Sequence, residues 1–228
     1  EAVTESEGIQ RWDVLDLVTR LVEKSMLVVD SDDSPKSRYR LLETLRQYGM
    51  SRLIESETDQ RFRRRHAVYF ADFAESGDQQ LRGPNQGEWF TALGREHDNL
   101  SGALTWTLDA EEGELFLRTA SALGYFWGQK GLWEEGRHWL LARPTTDETQ
   151  RADLRAKALI QAVTVIVPED LDRALEIAEL ARELSQAADE RRLTALALHA
   201  MGHASILMFL SDEAKPLLEE SIAIFRSL

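Results

Sequence analysis

The spacing of apolar residues changes at one point of the chain, within residues 38–49, which read RYRLLETLRQYG. The first residues of this stretch alternate, with Tyr39 and Leu41 on one face, as in a half-buried strand. From Glu43 onward the apolar residues follow helical spacing instead. The pattern therefore predicts a strand that leads directly into a helix.

The residues before this junction predict a helix and a first strand. Residues 12–24 place their apolar side chains on one broad stripe, which indicates a short amphipathic helix. Residues 26–29 are apolar and β-prone, and the turn-rich SDDSPKS at 31–37 separates them from the alternating stretch. Helix, hairpin and helix in this order form the closing part of a winged helix that lacks its first helices. Because an isolated hairpin is marginal in water, we expect the flanking helices to cover it.

From residue 59 onward the pattern is helical. Asp98 or Asn99 is expected to cap one of these helices. Two features fit less well: AVTVIV at 162–167 would also suit a buried strand, and Pro216 lies deep in the first turn of the last predicted helix. Polar breaks separate the apolar stripes near residues 77–85, 96–98, 110–113, 129–132, 143–148, 167–170, 188–191 and 210–212.

Helices in strict succession suggest an internal repeat. In a tetratricopeptide repeat, two helices approach closely at small residues, and Gly136, Ala174 and Ala214 recur here 38 and 40 residues apart. This spacing predicts 34-residue units with a few added residues in the connections. The signature spacing is found at Leu123, Gly124, Trp127, Gly131, Trp133, Gly136 and Leu140.

The predicted fold class is all-α. We expect a tetratricopeptide-like right-handed superhelix of helix pairs over residues 58–228, continuing beyond residue 228. It is preceded, over residues 1–57, by the C-terminal part of a winged-helix domain with one small β-hairpin.

Charge argues against binding of nucleic acid or anionic membranes by the chain as a whole. The formal net charge is −13, and such binding needs clustered Lys and Arg. Only residues 36–70 are locally basic, with nine Lys and Arg against four Asp and Glu. The longest largely apolar run, 158–167, is about half a membrane span. There is no cysteine, which is compatible with a reducing compartment, and we expect a cytoplasmic protein.

The sequence carries no signature of catalysis. It contains no Walker A loop, no Gly-rich dinucleotide loop and no Cys/His cluster. We therefore expect these residues to form no enzyme and to bind no metal or cofactor. The chain starts at Glu1 without an initiator Met or a signal pattern, so we expect it to be a piece of a longer polypeptide.

Two clusters have both a functional and a structural interpretation. His199 and His203 are four residues apart on a predicted helix, which suits a shared metal, a pH-sensitive site, or simply the lining of a groove. The arginines of RFRRRH at 61–66 could contact nucleic acid, or could belong to a solvated helix that pairs with acidic residues.

The repeat frame places one set of residues on a concave groove. An apolar floor with few polar groups suits a peptide or a small ligand about equally. The predicted groove residues are Arg118, Ser121, Tyr125, Leu159, Val163, Leu196, His199, His203 and Ile206.

Several stretches together resemble a known family. The order of these stretches resembles that seen in STAND-type signal-transduction ATPases, which include large bacterial transcriptional regulators, some of the LuxR type. The stretches are LVEKSMLVV, RYRLLETLRQYG, RRRHAVYFADFAE, EHDNLSGALTW and GLWEEGRHWL. The resemblance implies a nucleotide-binding core elsewhere in the same polypeptide, holding ATP or ADP, a winged helix that packs on this core, and a repeat array that acts as a sensor. In relatives, a Met-His-Asp motif at the strand-to-helix turn places its His beside ADP. The matching residues here are Leu41, Leu42 and Glu43; Leu42 has no donor for a phosphate, whereas Glu43 keeps an acidic group at the start of the helix.

The functional hypothesis is a non-catalytic sensor and protein-interaction region of an ATP-dependent signalling regulator that acts on transcription. It would bind a protein, peptide or small-molecule partner in the groove and control the nucleotide-binding core through the junction at Leu42 and Glu43. The alternative is a tetratricopeptide scaffold without a switch role, and a third hypothesis is a DNA-binding module.

Overall fold

The computed structural model describes residues 3–4, 11–30 and 38–228, which form two compact units, Glu1–Tyr69 and Phe70–Leu228. The described residues contain twelve helices and one small antiparallel hairpin. The prediction of an all-α fold with a single hairpin is confirmed. The division between the two units lies within a helix, further along the chain than the predicted domain limit at residue 57.

The first unit contains the predicted order of elements. They are α1 (Arg11–Glu23), β1 (Leu27–Asp30), β2 (Arg38–Leu41), α2 (Glu43–Glu55) and the first part of α3 (Asp59–Gln80). The strands pair antiparallel, with Leu27 opposite Leu41, while the connector at 31–37 lies outside the described residues. Leu42 alone separates β2 from α2, in an extended conformation, so the predicted strand-to-helix junction is confirmed.

The expectation that flanking helices cover the hairpin is wrong. The four strand residues Val28, Val29, Tyr39 and Leu41 remain 38–44% exposed. Helix α2 has no buried residue, and its Tyr48 and Ile54 are more than half exposed. The reason is that the apolar residues of α2 do not share one stripe, so this helix has no apolar face to lay on the strands.

The second unit is a succession of helices. The 162–167 stretch is helical up to Ile166, so the strand alternative is wrong; its β-branched side chains are accommodated because Val163, Val165 and Ile166 are all buried. The predicted break at 143–148 contains a short additional helix that starts at Arg143 with Pro144 in its first turn. After the end of α3 the helices are α4 (Gln86–Arg95), α5 (His97–Asp109), α6 (Gly113–Lys130), α7 (Trp133–Leu140), α8 (Arg143–Thr146), α9 (Ala152–Ile166), α10 (Leu171–Ala187), α11 (Arg191–Leu207) and α12 (Ser211–Arg226).

Small residues lie where these helices cross. Helix α6 contacts α7 and α9, and from α9 onward each helix packs on the next. A methyl group added at Gly136 of α7 would lie 2.8 Å from Val165 Cγ1 of α9, and one at Gly202 of α11 would lie 2.7 Å from Leu218 Cγ of α12. Ala174 is completely buried. The small positions singled out in the sequence are therefore contact points between helices.

The helix ends follow one recurrent geometry. After α5, α6, α10 and α11 the chain turns through a residue with positive φ: Glu111, Gly131, Asp189 and Phe209. At each turn the following backbone N–H donates to a carbonyl five residues earlier, at 2.8–2.9 Å. This is the Schellman ending, which satisfies carbonyls that the helix leaves unpaired. Three of the four left-handed positions are not glycine.

Helix starts are less regular. Asp170 caps α10, with its Oδ1 accepting from the backbone N–H of Arg173 at 2.9 Å. The predicted cap at Asp98 or Asn99 is wrong, because α5 already begins at His97 and Glu96 holds the cap position. Asn99 instead donates its side-chain amide to the Glu96 carboxylate at 2.6 Å.

Candidate functional site

The second unit contains a groove of about 810 Å³. Its walls come from α6, α9 and α11, together with the end of α3 and Arg82 just after it. We call it the central groove. Its volume lies in the range typical of ligand sites in proteins, roughly 300–1,000 Å³.

Helix α11 forms one wall of the central groove. Arg192, Leu196, His199 and His203 succeed each other at intervals of four, three and four residues, so they share one face of this helix. The two imidazole rings are parallel, with 6.5 Å between their centroids. Arg192 has no ion-pair partner among the described residues.

Helix α9 forms the floor. Its Ile160 and Val163, and Val167 directly after it, supply apolar surface, whereas Gln161 and Thr164 add polar atoms. The side chain of Gln161 is almost fully buried because it lies directly against Gly124 of α6. One turn further along α6, Gly128 likewise lies directly against the side chain of Thr164. The floor is thus fixed by the contact between α6 and α9.

A network of charges closes the remaining side. Asp78 of α3 accepts from Arg82 and from Lys157 of α9, each at 3.2 Å, and its side chain is only 13% exposed. The Arg82 guanidinium also lies 4.2 Å from the ring centroid of Tyr125 on α6, a cation–π contact. One carboxylate therefore holds two cations and ties three elements of the groove together.

The balance of charge in the central groove is opposite to that of the chain. Among the groove residues, Arg82, Lys157 and Arg192 are cationic and Asp78 is the single carboxylate, while the whole chain carries −13. The two imidazoles of His199 and His203 add further positive charge when they are protonated. A site with this composition attracts anions.

The structure brings some of the predicted groove residues together and separates others. Tyr125, Val163, Leu196, His199 and His203 line the central groove. Ser121 and Leu159 are buried between helices, and Ile206 is 48% exposed outside the groove. The repeat frame missed Asp78, Arg82, Lys157 and Arg192; of these, Arg192 could have been found, since it lies one turn before Leu196 on the same helical face.

Arg118 lies in an ion cluster with α3 and not in the central groove. Its Nε and Nη2 atoms donate to the two oxygens of Glu75 at 3.0 and 2.6 Å, and Nη2 also donates to Asp72 at 2.7 Å. The hydrogen bond with Arg118 lowers the pKa of Glu75 below its ordinary value of 4.5, and the same bond raises the pKa of Arg118. This arginine fastens α6 to α3, which explains why it is not available to a ligand.

At the junction, Leu42 is 48% exposed, and its side chain has no polar atom. Glu43 occupies the first turn of α2, where its carboxylate accepts from Arg46 at 2.7 and 2.8 Å and from Gln47 at 3.0 Å. The hydrogen bond with Arg46 lowers the pKa of Glu43 to about 2, with a further contribution from Gln47. Glu43 is thus an ionised residue engaged within its own helix.

Neither of the other two clusters gains a ligand set in the structure. Within the described part of the chain, no group of three or more His, Cys, Asp or Glu side chains could hold a metal ion, and His199 and His203 have no third partner of this kind. In the basic stretch, Arg63 donates to the sulfur of Met50 at 3.1 Å and lies 3.8 Å from Asp59. None of the described helices is long and apolar enough to cross a membrane.

Comparison with known proteins finds relatives among transcriptional regulators. The chain is 30% identical, over 217 residues, to proteins of Mycobacterium bovis and of two strains of Mycobacterium tuberculosis, each described as a "Putative HTH-type transcriptional regulator". The similarity covers 85% of this chain but only 23% of each relative. The chain thus spans about a quarter of the length of the curated relatives that it matches. No family model and no solved structure matches the chain.

Proposed function

We propose that this chain is the regulatory region of a transcriptional regulator, in which the central groove binds a partner and the bound partner controls a nucleotide-binding core in the same polypeptide. In this proposal the second unit is a tetratricopeptide-like sensor and the first unit is the end of a winged helix. The chain itself performs no catalysis, and ATP or ADP is bound elsewhere in the polypeptide.

The observation that carries the proposal is the similarity to proteins described as transcriptional regulators, which extends over 85% of the chain. A match of this extent must include parts of both units. Since the relatives are about four times longer, the activity of the whole protein belongs to the proposal.

The construction of the central groove supports a regulatory role. Residues from α3, α6, α9 and α11 meet there, so a bound partner contacts four helices at once. A partner shifts an equilibrium only by its difference in affinity for the two states. A ligand that contacts several helices can have such a difference, because its affinity depends on their spacing.

The junction supports transmission of a signal without direct contact to phosphate. The position where relatives of the STAND type place a histidine is occupied by Leu42, whose side chain can donate no hydrogen bond. Its neighbour Glu43 is engaged by Arg46 and Gln47 within α2. We infer that the junction acts mechanically, by moving β2 and α2 together, since Leu42 alone connects them.

The proposal is tested in the full-length gene product. Leu196→Glu puts a carboxylate into the central groove, and Ile222→Glu makes the same change at a residue of α12 that is 49% exposed and does not line the groove. RNA sequencing of cells that carry each variant should show altered transcripts for Leu196→Glu and a wild-type profile for Ile222→Glu, with circular dichroism confirming that both fold. An unchanged profile for Leu196→Glu would refute the regulatory role. Altered transcripts with wild-type nucleotide exchange would favour a scaffold without a switch.

A further inference from the structure

The fixed charges of the central groove are positive on balance, whereas the chain as a whole is negative. A chain of −13 repels anions on average, yet this surface combines Arg82, Lys157 and Arg192 with the single carboxylate of Asp78. Asp78 is already engaged by Arg82 and Lys157 at 3.2 Å, whereas Arg192 has no ion-pair partner among the described residues. The positive charge of Arg192 on the α11 wall is therefore not neutralised by an ion pair among the described residues.

The polar face of α11 in the central groove is long. Arg192 and His203 are eleven positions apart on one face of α11, which corresponds to roughly 16 Å at about 1.5 Å per residue. A single carboxylate or phosphate needs one cluster of donors, whereas a row of this length matches several anionic groups in line. An extended peptide advances about 3.3 Å per residue, so roughly five residues span the wall.

The apolar floor fits the same interpretation. Ile160 and Val163 of α9, with Val167 directly after this helix, line the groove beside the α11 wall. Successive side chains of an extended peptide point to opposite sides, so acidic and apolar residues in alternation would direct carboxylates to α11 and apolar groups to α9.

We propose that the central groove binds an extended acidic peptide segment of about five residues, with apolar side chains alternating with Glu or Asp. This inference rests on the proposed function and specifies the partner of that site. The Glu or Asp side chains pair with Arg192 and with His199 and His203 along α11, and Leu196 contributes the apolar contact between them.

The test is fluorescence anisotropy with the purified 228-residue chain and three hexapeptides that carry an uncharged fluorophore. In each hexapeptide Leu alternates with one polar residue, which is Glu in the first, Gln in the second and Lys in the third. Because the chain is acidic overall, non-specific attraction would favour the Lys peptide. We expect the Glu peptide to bind at least about tenfold more tightly than the Lys peptide. Its three carboxylates would be attracted to Arg192 and could accept hydrogen bonds from His199 and His203, whereas the ammonium groups of the Lys peptide would be repelled by Arg192. The advantage should shrink at 1 M NaCl, where charges are screened within about 3 Å.

Substitutions locate the binding. Arg192→Glu should weaken the Glu peptide about fivefold or more. The matched control is Arg226→Glu, the same change at an exposed residue of α12 outside the groove, and it should leave the affinity unchanged. Equal binding of the Glu and Lys peptides, or an equal effect of the two substitutions, would overturn the proposal. Displacement of the Glu peptide by inorganic phosphate at an equal concentration would also overturn it, because the groove would then be a site for small anions.

This result is separable from the regulatory role. If the Glu peptide fails to bind while Leu196→Glu still alters transcripts, the central groove regulates through another ligand and the acidic-peptide inference is wrong. If the peptide binds selectively while transcripts are unchanged by Leu196→Glu, the groove is an acidic-peptide site and the regulatory proposal is wrong.

Discussion

Among the glycines of the second unit, Gly124 lies closest to a neighbouring residue, and its contact gives a sharp test of the fold. Gly124 of α6 faces Gln161 of α9, and a methyl group added at Gly124 would lie within 2.7 Å of Cγ of Gln161 and closer still to its Cβ. Carbon atoms that are not bonded to each other pack at about 3.5–4.0 Å. Since Cβ of Gln161 is fixed to the backbone, no rotamer change can relieve the clash, and α9 itself must move away from α6.

The magnitude follows from two opposing terms. Overpacking a well-packed contact costs about 1–3 kcal/mol, and the fixed position of the Gln161 Cβ puts Gly124→Ala at the upper end of this range. Replacing glycine by alanine within a helix increases the free energy of unfolding by about 1 kcal/mol, because alanine has the higher helix propensity. We expect a net loss of about 2 kcal/mol in the free energy of unfolding. For a unit of this size, that corresponds to a fall in Tm of about 4–8 °C.

Gly102 provides the matched control. It lies within α5, is exposed, and has no atom within 4 Å of the position that a methyl group would take. Only the propensity term applies there, so Gly102→Ala should raise the stability by about 0.5–1 kcal/mol. The two variants are the same chemical change with opposite expected signs.

The assay is urea unfolding of both variants and the wild type, followed by far-UV and near-UV circular dichroism. Agreement of the two probes is needed for a two-state analysis of the second unit. If Gly124→Ala is as stable as Gly102→Ala, then α6 and α9 do not approach each other as closely as described, and the argument from small residues fails.

Three further predictions follow from local geometry. Asp170→Ala removes the side-chain cap of α10 and should cost about 1 kcal/mol in urea unfolding; a loss below about 0.3 kcal/mol would argue against the cap. Phe209 is 92% exposed and has a φ of 61°, so its side chain buries little surface and its backbone is in the left-handed conformation. Glycine adopts this conformation without strain, so Phe209→Gly should raise the free energy of unfolding by about 0.5–1 kcal/mol. A loss of stability would show instead that the ring of Phe209 makes a stabilising contact. Because Arg118 lowers the pKa of Glu75, this carboxylate stabilises the fold above its ordinary pKa of 4.5 and loses that contribution as the pH falls through its lowered pKa. The free energy of unfolding of the wild type should exceed that of Glu75→Gln by about 1 kcal/mol at pH 7, a value discounted for partial exposure. This difference in stability should decrease as the pH is lowered; an increase would contradict the expected direction.

The helices could be predicted from the sequence because their apolar periodicity is long and regular. Their ends could not, and the reason is visible at Glu111, Asp189 and Phe209. These residues take the left-handed conformation that ends a helix, where glycine is the usual signal. Of the turns in the second unit with this geometry, only that at Gly131 has glycine at the left-handed position.

The groove could be predicted in part for a different reason. A helical frame finds residues on one face of a single helix, so Leu196, His199 and His203 were within reach. Arg82 comes from the segment after α3, and its position over Tyr125 depends on how α3 packs on α6. Such a contact depends on tertiary structure, which periodicity along the chain does not encode. Arg118 illustrates the converse, since Glu75 of α3 withdraws it from the groove.

The close contact between α6 and α9 and the central groove involve the same residues. Gln161 and Thr164 line the groove with their polar atoms, while their inner carbons lie against Gly124 and Gly128. The spacing of α6 and α9 therefore sets the shape of the floor directly. Gly124→Ala, which does not itself line the groove, should consequently weaken binding of the acidic hexapeptide as well as the fold, whereas Gly102→Ala should change neither the groove nor the affinity. Wild-type affinity in Gly124→Ala would mean that helix spacing and ligand binding are uncoupled, and a sensor built on this groove would then need another route for its signal.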